Sequence, residues 1–321
     1  MAEKHKKFVI LGQEILPGKG AQLNLDVAKL HTTTPILVPV IVQRAKVDGP
    51  TVLLMAGLHG DEINGIEVIR RIIRKGFNKP QVGTIICLPV FNIFGFLNVK
   101  RELPDGRDLN RSFPGSENGS LAAQFAFHFM KEIAPHVDYV IDFHTGSAQR
   151  NNFPQIRCVL EDEKSMELAR VFNPPFILNS SQISKTIRES ISKLGKNMLL
   201  FEGGKTNNIE EMVVEEGING VKRLLSHLGM RSFKIDISKD RIPIVLTESK
   251  WMRSPNSGMF QALVKNGERV SKNDVIGIVT DPYGKFERKV KSSTNGFIIC
   301  LNESPVVYKG DAIFHIAKAE Q

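Results

Sequence analysis

Two histidines and a glutamate have the residue types and positions that a catalytic zinc site requires. His59 and Glu62 follow an apolar run, 52–55, and precede apolar residues at helical spacing, so both project from one strand-to-helix turn. His144 ends a second apolar run that begins at Tyr139. A His, Glu, His set binds zinc and leaves a fourth position open for water. We therefore predict one catalytic Zn²⁺ per chain, bound by His59, Glu62 and His144.

Each of these residues also has an ordinary structural explanation. His59 could be a hydrogen-bonded core histidine, and Glu62 could be stabilised by the dipole at a helix N-terminus. Asp142 favours the metal site, because residues i and i+2 of a strand face the same side and Asp142 can orient His144 as an outer carboxylate. An unrelated buried salt bridge is the alternative for Asp142. Residue identity leaves cobalt and manganese open as the metal.

A further carboxylate, Glu202, directly follows the apolar run 198–201 and precedes two glycines. A carboxylate beside a zinc-bound water can accept its proton, since the metal lowers the pKa of that water toward ~7. The same group could then protonate a leaving amine. We predict Glu202 as the general base, with capping or pairing within the sheet as its alternative role.

A polar loop from Arg101 to Gly115 lies between the two histidines and contains three arginines, at 101, 107 and 111. The planar fork of arginine suits a carboxylate, and beside zinc it can stabilise a developing oxyanion. By composition alone, this segment would instead be a solvated surface loop.

Strand and helix patterns alternate along most of the chain and explain how these residues meet. The first fifty residues predict strands. The next predicted strands are 51–56, 84–90, 138–143 and 197–201, and the predicted helices are 61–75, 120–134, 163–172, 182–194 and 210–228. This alternation predicts an α/β fold with a mainly parallel or mixed sheet flanked by helices. In such sheets, sites gather at the carboxyl ends of the strands, where His59, His144 and Glu202 fall.

The helical patterns stop near residue 240, where two similar segments follow each other. Residues 257–260 and 272–276 resemble 295–298 and 309–313 at a nearly constant offset. The repeat predicts a small all-β sandwich or barrel of two similar halves, and it resembles a biotinyl/lipoyl-type domain. We therefore predict a hydrolase domain over 1–239 and an all-β domain over 240–321.

Composition limits the partners and the compartment. The chain of 321 residues is 41% hydrophobic and 24% charged, which is typical of soluble globular proteins. Its three cysteines are widely spaced, without a CxxC, which argues against a disulfide framework and favours the cytoplasm. No apolar stretch approaches the ~18 residues that span a bilayer, so no membrane anchor is expected. The net charge of +9 is scattered, so we expect no nucleic-acid binding.

Four motifs in order resemble the succinylglutamate desuccinylase/aspartoacylase family, which is itself similar to the zinc carboxypeptidases. They are HGDE at 59–62, DLNRSFPG at 108–115, DFHTGS at 142–147 and FEGG at 201–204. The likeness spans residues 35–230 and is specific to a family, not to a substrate. It implies a zinc carboxypeptidase-like fold, the three zinc ligands predicted above, and Glu202 as general base and acid.

The resemblance also assigns roles within the polar loop. It implies that Asn110 and Arg111 hold a substrate carboxylate and that Arg101 polarises the scissile carbonyl. The segment from Arg101 to Asn110 is longer than in aspartoacylase, so Arg107 is a rival for the last role.

Together these observations predict a zinc-dependent amidohydrolase that deacylates an N-acyl amino acid and acts on carbon–nitrogen bonds other than peptide bonds. A metallocarboxypeptidase that releases C-terminal, acidic residues from short peptides needs the same groups and is the alternative. A zinc-binding scaffold without turnover is the non-enzyme alternative. The sequence leaves open the acyl group, the amino acid, a homo-oligomeric state and the role of the β domain.

Overall fold

Strands and helices alternate through most of the chain, as their patterns predict. The structure is a computed structural model that describes residues 6–234 and 241–319. The first elements are β1 (Val9–Ile10), β2 (Gln13–Glu14), β3 (Gly20–Lys29), β4 (Pro35–Arg44), β5 (Val47–Ala56), α1 (Ile63–Arg74), β6 (Val82–Leu88), α2 (Ile93–Asn98), α3 (Leu121–Glu132), β7 (Tyr139–Gly146), β8 (Arg150–Cys158), α4 (Glu163–Phe172), β9 (Phe176–Asn179), α5 (Ile187–Lys193), β10 (Asn197–Lys205) and α6 (Glu211–His227). Short 3-10 turns lie at Leu109–Arg111 and Ala134–His136.

Only strands follow in the described part of the chain after residue 241. They are β11 (Ile244–Arg253), β12 (Gly258–Ala262), β13 (Arg269–Val270), β14 (Val275–Thr280), β15 (Glu287–Lys291), β16 (Gly296–Asn302), β17 (Val306–Val307) and β18 (Ala312–Ala319).

Two strands, β8 and β9, lie where the sequence patterns predict none. β8 is mostly polar, with the sequence RNNFPQIRC, and it contains Pro154, which is unusual inside a paired strand because proline cannot donate a ladder hydrogen bond. β9 has only four residues, too few for a clear period. The helix predicted over 182–194 is shorter in the structure, because α5 begins at Ile187, after the Thr186 hydroxyl accepts a capping hydrogen bond from the Glu189 N–H.

One mixed sheet contains twelve of the strands, in the order β13-β16-β18-β11-β9-β8-β10-β7-β5-β6-β4-β3. The four central strands, β10-β7-β5-β6, are parallel to one another. On either side of them the pairing is antiparallel: β8 with β10, β4 with β6, and β3 with β4. Helices cover both faces: α3 and α5 pack into one apolar cluster, and α1, α4 and α6 pack into the other. The structure therefore confirms a mixed α/β architecture, in which central strands buried on both faces form continuous apolar runs.

The internal repeat appears as a reciprocal exchange of short strands. β12, β13 and β14 form the first half, and β16, β17 and β18 form the second. The two-residue strand of each half pairs with a long strand of the other, β17 with β12 and β13 with β16. β15, β14, β12 and β17 form a separate four-stranded sheet. The described strands after residue 241 are thus paired reciprocally, and the small all-β domain of two similar halves stays a prediction.

The C-terminal strands also join the sheet of the preceding segment and close a ring with it. β11 pairs with β9, β18 with β11, β16 with β18, and β16 in turn pairs with β8, which is the neighbour of β9. All five strands contribute to one apolar cluster inside the ring, which includes Phe153, Phe176, Leu246, Ile299 and Ala317. The predicted boundary at 239/240 lies outside the described residues, and the division into two domains stays a prediction.

The state of the cysteines and the character of the helices can be compared with what the composition predicts. Cys87, Cys158 and Cys300 are buried free thiols, so none of them forms a disulfide. Across residues 6–234 and 241–319, no helix has the length and apolar character needed to cross a membrane.

Leu246 tests whether the C-terminal strands share a core with β9. Its side chain is fully buried where β11 pairs with Leu178. Truncating a buried leucine costs about 2–5 kcal/mol, so we expect Leu246→Ala to lower the free energy of unfolding by that amount in urea denaturation. Leu263→Ala, at an exposed position, is the control and should cost about 0.5 kcal/mol or less. Equal losses in both variants would contradict a shared core.

Candidate active site

The parallel centre of the sheet brings the three predicted metal ligands together. β5 ends at Ala56, and the turn that follows carries His59 and Glu62 to the start of α1. β7 runs parallel to β5 and carries His144 near its end. Gly60 lets the turn pack tightly against α2, because a Cβ there would lie 1.8 Å from the carbonyl carbon of Gly95. The register of two strands and one tight turn therefore defines the cluster.

Glu62 joins the two imidazoles. One carboxylate oxygen lies 2.8 Å from Nδ1 of His59, and the other lies 2.9 Å from Nδ1 of His144. The ligand atoms of all three residues lie within 4.8 Å of one another, and their side chains are 2–4% exposed. The backbone N–H of Thr145 donates to Glu62 at 3.1 Å and helps to fix the carboxylate. Both histidines thus turn the same nitrogen, Nδ1, toward a common centre.

The second nitrogen of each imidazole contacts a carboxylate outside the cluster. Nε2 of His144 lies 2.8 Å from Oδ2 of Asp142, as the strand spacing predicts, and Asp142 is fully buried. Nε2 of His59 lies 3.1 Å from Oδ1 of Asp108. Carboxylates in these positions fix the ring orientation of a metal-binding histidine and raise its basicity.

Neighbouring charges shift the pKa of each residue in this cluster against the effect of its burial. Burial lowers the pKa of His144, but Asp142 and Glu62 outweigh it and hold the pKa well above its ordinary value. Burial likewise lowers the pKa of His59, but Glu62 and Asp108 raise it by more, so the pKa lies above its ordinary value. Burial raises the pKa of Glu62, yet the two histidines hold it well below its usual range. In each of the three residues, the neighbouring charges therefore outweigh the effect of burial.

The donor set fits a divalent zinc-like ion. Two imidazole nitrogens and a carboxylate oxygen are three ligands of two types that zinc binds, and three protein ligands leave a position for water or substrate. Glu62, Asp108 and Asp142 carry three negative charges against one positive charge on Arg101, so the cluster has a formal charge of −2 when both imidazoles are neutral. A divalent cation would offset that charge.

Glu202 lies directly beside His144 on the neighbouring strand. β10 and β7 are parallel, and Glu202 is the register partner of His144. Its carboxylate accepts a hydrogen bond from the Asn152 amide at 2.7 Å and lies 3.7 Å from an Arg157 nitrogen. The side chain is 12% exposed and faces the same cavity as His59, Glu62 and His144. Two donors from β8 therefore restrain the carboxylate at the edge of the site.

The polar loop supplies three residues to the cavity and leaves one outside. Arg101, Asn110 and Arg111 line it, whereas Arg107 is exposed and lies 3.6 Å from Asp105. Arg101 is restrained by Glu62 at 3.2 Å and Asp108 at 2.8 Å. The placement favours Arg101 over Arg107 for any role at the reacting atoms.

One cavity of about 210 Å³ therefore collects every site residue that the sequence predicts: His59, Glu62, His144, Asp142, Glu202, Arg101, Asn110 and Arg111. Its wall also includes Arg150, Asn152, Arg157, Arg188 and Trp251. A cavity of this size suits a small molecule.

Sequence reasoning missed several residues of the site, including Arg150 and Arg188 of the cavity wall. Asp108 opens the DLNR motif and could have been recognised as a carboxylate within reach of a metal ligand. Asn152 and Arg157 belong to β8, whose strand pattern is hidden by a proline. Trp251 lies in β11, far along the chain, and carries no local signal of a site.

Asp142 allows a direct test of the cluster as a metal site. Removing an outer carboxylate from a metal-binding histidine lowers metal affinity about 10- to 100-fold. We expect Asp142→Asn to weaken zinc binding by that factor, measured by competition with a chromogenic chelator. Asp26→Asn, on an exposed position of β3, should leave the affinity unchanged. Equal affinities in Asp142→Asn and the wild type would argue against the metal site.

Comparisons with known proteins agree with this geometry. The family profile described as succinylglutamate desuccinylase/aspartoacylase catalytic domain matches residues 48–228. The chain is 26% identical over 297 residues to the N-alpha-acetyl-L-2,4-diaminobutyric acid deacetylase of Halomonas elongata, a match that covers 88% of this chain and 86% of that protein.

Solved structures share the fold over nearly the whole chain. A succinylglutamate desuccinylase from Silicibacter sp. TM1040 matches with a TM-score of 0.83 at 22% identity, covering 98% of both chains. The product-bound ectoine utilization protein EutE from Ruegeria pomeroyi matches with a TM-score of 0.81 at 21% identity, covering 94% of both chains. The match to the family profile confirms the resemblance inferred from four short motifs. Because the family profile matches more than half of the chain, this protein belongs to the succinylglutamate desuccinylase/aspartoacylase family.

Proposed function

We propose that the protein is a zinc-dependent deacylase that hydrolyses the amide bond of an N-acyl amino acid. The observation that carries the proposal is the convergence of the His59, Glu62 and His144 cluster, Glu202 and an anion-binding pair on one small cavity. Membership of the family and the relative that is a deacetylase support the same reaction class. The products would be a free amine and a carboxylic acid.

His59, Glu62 and His144 would hold the zinc ion, with Asp108 and Asp142 orienting the two imidazoles. When bound, the ion supplies Lewis acidity at the scissile carbonyl and lowers the pKa of a water molecule toward ~7.

Glu202 would act as general base and then as general acid. Its carboxylate accepts a proton from water as the oxygen adds to the acyl carbon, and it returns the proton to the amine nitrogen as the carbon–nitrogen bond breaks. The restraint from Asn152 and Arg157 supports this role, because proton transfer requires a positioned group.

Asn110 and Arg111 would bind the α-carboxylate of the substrate. The backbone N–H of Ile187 donates to Oδ1 of Asn110 at 3.1 Å, which leaves the two amide hydrogens of Asn110 as donors for an anion. Arg111 adds a charged fork at the cavity wall. Arg101 would polarise the scissile carbonyl, since it stays beside the metal cluster through Glu62 and Asp108.

Two other proposals share these groups and would be separated by assay. A carboxypeptidase would act on short acidic peptides, and a scaffold would bind zinc without turnover. The cavity volume favours a small substrate over a peptide.

The cysteine pattern supports a cytoplasmic location for the reaction.

Substrate profiling tests the reaction class. We expect metal-loaded protein to release an amino acid from members of an N-acetyl- and N-succinyl-amino acid panel, and to act weakly or not at all on acidic dipeptides and tripeptides. Chelation should abolish the release, and added zinc should restore it. Preferential cleavage of the peptides would instead identify a carboxypeptidase, and no cleavage of either panel would favour a scaffold.

Glu202→Gln tests the proton transfer. Loss of a general acid–base catalyst typically lowers the rate about 100- to 10,000-fold, and we expect kcat to fall within that range while the bound zinc per chain stays the same. Glu303→Gln is the matched control, because Glu303 pairs with Lys205 outside the cavity wall and should not affect the rate. An active Glu202→Gln variant would exclude the proposed base.

A further inference from the structure

Gln155 of β8 is a buried polar residue whose protein surroundings leave its amide unpaired. Its side chain is fully buried, and neither its amide oxygen nor its amide nitrogen has a hydrogen-bond partner among the residues that the structure describes. Burying an amide without a hydrogen bond is costly, and most buried polar groups bind a side chain, the backbone or an ordered water. The neighbours of Gln155 therefore indicate what it can bind.

Gln155 lies between Glu202 and an aromatic ring. β8 pairs with β10 on one side and with β9 on the other, and the register partners of Gln155 are Glu202 and Phe176. Directly opposed residues of an antiparallel pair project from the same face of the sheet, with Cβ atoms about 4.5–5.5 Å apart. The side chain of Phe176 has no hydrogen-bonding group, so the polar neighbour of Gln155 across the sheet is Glu202.

Arg157 projects from the same face of β8, two residues beyond Gln155. Its Nε atom is buried and also lacks a hydrogen-bond partner in the described part of the chain. A terminal nitrogen of Arg157 lies 3.7 Å from Oε1 of Glu202. That separation is longer than a direct hydrogen bond, and a polar contact of such length often includes a bridging water. Gln155 and Arg157 thus bring unpaired hydrogen-bonding atoms to the flank of Glu202.

The two oxygens of the Glu202 carboxylate are restrained to different degrees. The Asn152 amide donates to Oε2 at 2.7 Å, a direct hydrogen bond, whereas the Arg157 nitrogen near Oε1 is 3.7 Å away. A carboxylate that is held at one oxygen can still turn about that contact. A hydrogen bond at the second oxygen would fix the plane of the group, and proton transfer depends on such positioning.

We propose that Gln155 and Arg157 bind a buried water molecule that donates a hydrogen bond to Oε1 of Glu202, which makes Gln155 a positioning residue for this carboxylate. The inference rests on the deacylase function proposed above, in which Glu202 is the general base. The water accepts the N–H of Arg157 Nε and bonds with the Gln155 amide, which can donate or accept. Three such partners are typical of a buried water. Gln155 acts through this water and not on the substrate, because its side chain does not line the cavity.

Gln155→Met tests the effect on catalysis. Methionine is unbranched and of similar length, so the substitution removes the hydrogen bonds of the amide while keeping most of the packing. With the N-acyl amino acid that the wild type hydrolyses fastest, we expect kcat to fall about 10- to 100-fold, the factor for a hydrogen bond to a charged group. KM should change less than about threefold, since Gln155 does not touch the substrate. A merely structural role would lower the urea midpoint and leave the kcat of the folded protein unchanged, and that result would overturn the proposal.

Ile156→Val is the matched control for the packing of β8. Ile156 follows Gln155, is fully buried, and belongs to the apolar cluster of Phe143 and Phe201 on the opposite face of the sheet. Removing one methyl group there should lower the urea midpoint slightly and leave kcat within about twofold of the wild type. A loss of kcat as large as that of Gln155→Met would mean that any loosening of β8 disturbs Glu202, and it would overturn a specific role for Gln155.

A crystal structure of the zinc-loaded full chain tests the water site without relying on turnover. At a resolution that shows ordered water, we expect one molecule within hydrogen-bond distance of Gln155, Arg157 Nε and Glu202 Oε1 in the wild type, and none there in Gln155→Met. If Gln155 instead bonds directly to protein groups, with no water beside Oε1, the proposal is wrong and the deacylase function is unaffected. Failure of the wild type to hydrolyse any N-acyl amino acid would contradict the deacylase function, whereas the water site would still be decided by the crystal structure.

Discussion

A buried carboxylate, Glu62, lies between two buried imidazoles, and the geometry of the site depends on that arrangement. Each oxygen of Glu62 has a histidine Nδ1 within hydrogen-bond distance. Burying three ionisable groups is costly unless each finds a partner. Asp108, Asp142 and Arg101 supply those partners. The cluster is therefore pre-organised, and the parallel pairing of β5 with β7 and of β7 with β10 defines where its members and Glu202 lie.

The sequence predicted the parts of this site that follow from strand and helix periodicity. His59, His144 and Glu202 each follow or end an apolar run, and parallel strands bring their carboxyl ends to one edge. Asp142 was predictable from its spacing of two residues from His144. Arg101 could be separated from Arg107 only by the structure, because both occur in one irregular loop whose path depends on tertiary contacts.

The remaining features depend on long-range pairing, which leaves little trace in local sequence. Asn152 and Arg157 lie on a strand interrupted by Pro154, and their relation to Glu202 comes from antiparallel pairing across about fifty residues of chain. Trp251 reaches the cavity because β11 pairs with β9 and β18. The repeat after residue 241 predicted two similar halves, but it did not indicate that these strands would join the sheet of the preceding segment.

The closed ring of β8, β9, β11, β18 and β16 has a consequence for synthesis on the ribosome. β8, which carries two restraints on Glu202, emerges long before β16 and β18, which complete the ring. Domains generally fold in the order of translation, yet the pairing of residues 150–152 of β8 along one edge must wait for the late strand β16. The nascent polypeptide can thus bring His59, Glu62 and His144 together first, whereas the complete cavity must await the final strands.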